Sequence, residues 1–116
     1  MKKFLVLYKA SRSGFEQMMK ATPEQQKAGM DMWMKWSEKA ASSIVDMGAP
    51  LGKTLKVTKS GDTSESSNDL GGYGILQAES KEALAKALDG HPHFMMPNID
   101  GGGWIEIVEI MAIPGM

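Results

Sequence analysis

The sequence predicts an α+β domain with the element order βαββαβ, a four-stranded antiparallel sheet with two helices on one face. Three observations lead there. Residues 23–47 and 80–88 place apolar side chains at helical spacing, whereas four short runs elsewhere are rich in strand formers. Helical and strand-like segments then alternate along the chain in that order.

Residues 3–9 open the chain as a continuous apolar run, which suits a central strand covered on both faces. An irregular connection over 15–21 follows, with room for a turn of helix. Thr22-Pro23-Glu24-Gln25 starts the first helix: Thr22 is a fitting N-cap, Pro23 fits the first helical position, and Gln25 completes a capping box. Met30, Trp33, Met34, Ser37, Ala40, Ala41, Ile44 and Met47 form its stripe, and Gly48 and Pro50 supply a stop, so the helix is expected over 23–47. Trp36 and Met32 lie off that stripe and suggest a second, partly buried face.

Residues 51–59 read as the second strand, marked by Leu51, Leu55 and Val57. The polar stretch 60–69 is expected to be a hairpin connection or loop. Gly71-Gly72 leads into the third strand over 73–78, and Ser80 caps a helix whose stripe is Ala83, Leu84, Ala87 and Leu88, closed by Gly90. Residues 95–103, ending in Gly101-Gly-Gly103, form a loop that allows close backbone approach at the start of the last strand, 104–111. No lysine or helix start follows these glycines, so they are not a phosphate loop.

Composition narrows the function classes. At 116 residues the chain is read as a single domain, 1–116, large enough for one core. A net charge of −1 argues against nucleic acid as a partner. The absence of cysteine excludes a disulfide scaffold and a thiolate nucleophile, and fits a cytoplasmic setting. The apolar run after Met1-Lys-Lys is too short for a signal peptide, and none approaches a bilayer span, so no membrane association is expected. Two helices on one sheet face leave the other bare, and the first and last strands are apolar on both sides. A homodimer packing sheet against sheet is therefore the expected assembly.

His91 and His93, the chain's two histidines, flank Pro92 at the end of the second helix. A β-extension there would aim both imidazoles into one pocket, whereas a polyproline turn would splay them apart. As catalytic groups they would serve as general acid/base, with Asp69 and Glu106 as the carboxylates to pair with them. The structural alternative has one imidazole at the helix C-terminus and the other on a backbone group. Glu106 is either a base of raised pKa in a pocket or a carboxylate that is solvated or paired with lysine. Trp33 and Trp104 are expected to line a small-molecule pocket, with core packing as their alternative role. A metal held by His-x-His with Asp89, Asp100 or a glutamate lacks any characteristic spacing, and the eleven methionines are better read as core filler than as copper ligands. No metal and no cofactor are expected.

Several stretches together resemble the YCII-related family, which includes proteins with a DGPF motif. They are Met1-Lys-Lys-Phe-Leu-Val-Leu-Tyr8, Thr22-Pro-Glu24, Gly48-Ala-Pro-Leu51 and Gly71-Gly-Tyr-Gly-Ile-Leu-Gln-Ala-Glu-Ser80. The closing Ile105-Glu-Ile-Val-Glu-Ile110 with Ile113-Pro-Gly115 completes the set, so the resemblance spans nearly the whole chain. It implies a ferredoxin-like protomer in a dimeric α/β barrel. The family's early histidine, half of a His–Asp pair, has no counterpart before position 91, and Gly61-Asp62-Thr63-Ser64 keeps only the Gly-Asp of the DGPF motif. The best likeness is to the sub-group with His-Pro-His after the second helix, for which no reaction is implied. The function expected is binding of a small organic molecule beside that loop, with acid–base chemistry. The alternative is a non-catalytic dimeric interaction or regulatory module with structural histidines.

Overall fold

A computed structural model describes residues 1–11, 16, 19–95 and 103–115. The loop over 96–102, with Asp100 and the first two glycines of the run, lies outside the described residues, as do 12–15, 17, 18 and 116. The strands are β1 (Lys2–Lys9), β2 (Ile44–Pro50), β3 (Thr54–Val57), β4 (Thr63–Ser66), β5 (Leu70–Ala78) and β6 (Trp104–Glu109). Among the described residues, the helices with defined bounds are α1 (Pro23–Lys39) and α2 (Lys81–Ala87), with short 3-10 turns at Ala41–Ser43 and Pro92–Met95. The α+β class and the four-stranded antiparallel sheet are as expected. Its order is β2-β5-β1-β6, while β3 and β4 pair only with each other as a hairpin.

Both helices begin at the caps read from sequence. Thr22 Oγ1 accepts the Gln25 amide while Gln25 Oε1 accepts the Thr22 amide, and Ser80 Oγ accepts the Ala83 amide. The far end of α1 differs from expectation. The helix stops at Lys39 rather than running to 47, and residues 44–50 become the edge strand of the sheet. Ile44 and Val45 are β-branched and favour extension, although Ile44 and Met47 happen to fall in helical phase. Gly48 is consequently a bulge residue within β2, not a helix stop. Its φ is +72°, its amide donates to Asp46 Oδ1, and a Cβ there would collide with the Tyr73 carbonyl. With that edge of the sheet taken, the strand expected over 51–59 shrinks to β3 and leaves the sheet for the exposed hairpin.

Alternation along β1 divides the sheet into two faces. Phe4, Val6 and Tyr8 lie opposite Leu76, Gly74 and Gly72 and meet Trp36 and Ala40 of α1 and its cap, with Leu84 and Leu88 from α2 and its end. This is the core. It corrects the helical stripe: Trp36 is buried, whereas Met30 and Met34 are exposed. Leu5, Leu7 and Lys9 take the other face, beside Ile75 and Tyr73 of β5 and Val108, Glu106 and Trp104 of β6. Among the described residues no helix lies over that face, and its side chains are only half-buried or exposed within one chain. Among the described residues, no helix is long and apolar enough to cross a membrane.

Candidate functional site

The His-Pro-His segment takes neither of the two backbones expected. It is a helical turn, capped by its own first residue. The His91 main-chain amide donates to the Leu88 carbonyl at the end of α2, and the Phe94 amide donates to the His91 carbonyl. Pro92 fills the first helical position, where a missing N–H costs nothing. His91 Nδ1 accepts the His93 amide at 3.0 Å, so a ring nitrogen does what an N-cap oxygen usually does. This helical twist, with the capping bond between them, separates the imidazoles into different surroundings.

His91 is fully buried in a box of aromatic rings. It stacks on Tyr8 with centroids 5.0 Å apart and meets the edges of Trp33 at 4.5 Å and Trp36 at 4.3 Å. Burial, with a smaller contribution from the charge of His93, pushes its pKa down to about 3. The ring is therefore neutral near pH 7. Since Nδ1 accepts, Nε2 carries the proton, and Nε2 has no hydrogen-bond partner among the described residues.

His93 is 4% exposed, and its Nε2 lies 2.7 Å from the Lys9 carbonyl. A carbonyl can only accept, so Nε2 carries the proton and Nδ1 is the basic atom of the neutral ring. Gly103 permits this packing, because a Cβ there would lie 2.5 Å from His93 Nε2. That is the close approach expected where the last strand begins.

The His93 ring forms one wall of a cavity of about 330 Å³ between α1 and the β2–β5 edge. Tyr8, Trp33, Met30 and Met47 supply other walls, with Gly71 and Gly72 in the floor. Gly72 lies opposite Tyr8 on the helix-covered face, so the space a side chain would fill there is left open. Tyr8 and Trp33 meet edge to face at 5.0 Å and 81°, which makes an aromatic corner. Burial pushes the Tyr8 hydroxyl up to about 12, keeping it protonated. A second, more open hollow of about 470 Å³ at the base of the hairpin, bordered by Leu51, Lys53 and Asn68, lacks aromatic walls.

The carboxylates proposed for the histidines sit elsewhere. Glu106 lies 2.7 Å and Asp69 3.3 Å from Lys9 Nζ, and the Trp104 indole donates to Glu106 Oε2 at 3.3 Å. Of the two readings of Glu106, the structure has the lysine pair. Lys9 first, and then the Trp104 indole, hold its carboxyl below the usual range, opposite in direction to a raised-pKa base. Glu106 in turn holds the Lys9 ammonium above its usual value. This group occupies the bare face, while Trp33 and His93 line the cavity on the covered one and His91 backs its Tyr8–Trp33 corner. Among the described residues, no group of three His, Asp or Glu side chains is placed to hold a metal ion.

Tyr8, Met30, Met47 and Gly72 were not singled out from sequence. Tyr8 was discoverable, since it shares the alternation of Phe4 and Val6. Gly72 was not, because a cavity floor is visible only once β5 is paired with β1. Comparison with protein-family models and with curated proteins returns no match for the chain.

Proposed function

We propose that this protein binds a small organic molecule in the cavity beside the His-Pro-His turn, with His93 as the group able to move a proton there. The observation that carries this reading is the cavity itself. It has the apolar and aromatic lining, with few polar groups, that ligand sites commonly have. His93 has the features of a positioned base: a buried ring, one nitrogen held by a main-chain carbonyl and the other left basic. His91 belongs to the frame rather than to the chemistry, because it is neutral and its Nδ1 is used as a cap.

The same proposal takes the chain as a YCII-like, ferredoxin-like protomer in a dimeric α/β barrel, located in the cytoplasm. With the β3–β4 hairpin set aside, the remaining elements run βαββαβ, which supports the fold assignment. The half-exposed apolar face with Leu5, Leu7, Tyr73 and Val108 supports a homodimer through the sheets. That face also favours a second reading, a non-catalytic dimeric module in which both histidines are structural. Crystals soaked with metabolite mixtures separate the two. Difference density between Tyr8, Trp33 and His93 is expected, and soaks that leave the cavity empty while filling another site would sink the ligand reading. Size exclusion with light scattering should give twice the chain mass, and a monomer would overturn the dimer.

A further inference from the structure

From the chemistry of its walls, we infer that the cavity selects an uncharged aromatic molecule carrying a hydrogen-bond donor. This rests on the reading of the cavity as a ligand site and adds the class of ligand. Among the described residues, no Asp, Glu, Lys or Arg side chain lines the cavity. The nearest charged cluster on β1, formed by Lys9, Asp69 and Glu106, is on the other face of the sheet and is already paired. An anionic or cationic ligand would give up its hydration for apolar walls with nothing to compensate its charge. A flat, uncharged ring fits instead. It would meet the Tyr8–Trp33 corner edge to face or offset, over a floor at Gly71 and Gly72 that has no side chains.

The donor follows from His93. Its Nε2–H is used by the Lys9 carbonyl, so the neutral ring offers a ligand an acceptor at Nδ1 and not a donor. A phenolic hydroxyl or a ring N–H satisfies that atom, whereas an ether or ketone does not. The site thus discriminates against charge through its walls, and at His93 it favours a donor through the tautomer that Lys9 fixes.

Three probes of one ring size test this on the intact protein by NMR titration at pH 7, following the Tyr8, Trp33 and His93 signals. They are 2-naphthol, naphthalene and 2-naphthoate. The expected order is 2-naphthol tightest, with naphthalene and 2-naphthoate each weaker by about tenfold or more. His93→Phe should abolish the preference of the site for 2-naphthol over naphthalene, so that the two probes bind equally. If 2-naphthoate shifts the same signals at equal or lower concentration than 2-naphthol, the ligand class is wrong while the cavity remains a site. If none of the three moves these signals, the ligand class and the ligand reading of the cavity both fall.

Discussion

One sheet carries two unlike faces. On the helix-covered face, Phe4, Val6, Leu76, Leu84 and Leu88 are almost wholly removed from water by contacts within the chain. On the bare face, Leu5 and Leu7 from the same strand are only half-buried, and Val108 is 44% exposed. The covered face is complete and encloses a cavity. Among the described residues the bare face is apolar but uncovered, with an ion-paired cluster at its β1–β6 end. Lys9 joins them: its carbonyl holds the His93 ring on the covered side, and its ammonium holds Glu106 on the bare side. The difference ties stability and cavity shape to the covered face, while the proposed homodimer would use the bare one.

The largest contrast should come from shaving one leucine on each face. Leu84→Ala is expected to lower unfolding stability by about 3 kcal/mol, through lost burial and a cavity in tight packing. Leu7→Ala should cost much less in dilute solution, and its cost should grow with protein concentration if the face is a dimer interface. Denaturant unfolding at several concentrations reads both. Equal, concentration-independent losses would break the distinction between the faces.

The histidines sharpen it through pH. His91 is held neutral when folded, and in the unfolded chain it takes up a proton below about 6.5. Stability should therefore fall as pH drops from about 6.5 toward about 3, with His91 contributing up to about 1.4 kcal/mol per pH unit. Glu106, whose folded pKa is lowered, adds a loss of the same sign in the carboxylate range, so the His91 part is read above pH 5. His91→Asn keeps a capping acceptor but does not titrate, and its curve should be flatter there. Parallel curves for the two proteins would contradict the caged imidazole.

The smallest effect belongs to the ion pair on the bare face. Glu106→Gln should leave the denaturation midpoint essentially unchanged at protein concentrations low enough to keep the chain monomeric, because solvent and salt screen that half-exposed pair there. It should also leave ligand binding at the cavity intact. A large loss of binding in Glu106→Gln would mean that the two faces communicate through Lys9.

Features that neighbouring residues determine were legible in sequence. The caps at Thr22 and Ser80, the opening strand over 3–9 and the stop of α2 at Gly90 all depend on a few adjacent positions. Features decided by distant partners were not. Ile44 and Met47 fit a helix as well as a strand until β5 offers an edge to pair with. Met32, Trp33, Met34 and Trp36 surround α1 with apolar groups, and only the docked sheet selects Trp36. The His93 ring was identified, but its partner is 84 residues away in sequence, as the Lys9 carbonyl. The carboxylates chosen for it were claimed by Lys9, whose place on the bare face follows only from the β1–β6 register.

The proposed function stands or falls with ligand binding in the cavity beside His93. The most direct measurement compares the affinity of one small-molecule binder for the wild-type protein and for Gly72→Val. A Cβ at Gly72 meets only ordinary contacts, the nearest at 3.4 Å, and the remaining methyls would enter the floor of the cavity. Gly72→Val should stay folded, shown by an unchanged far-ultraviolet spectrum, with binding weakened by more than about tenfold. Wild-type affinity in that folded variant would place the ligand elsewhere and overturn the assignment of the cavity as a binding site.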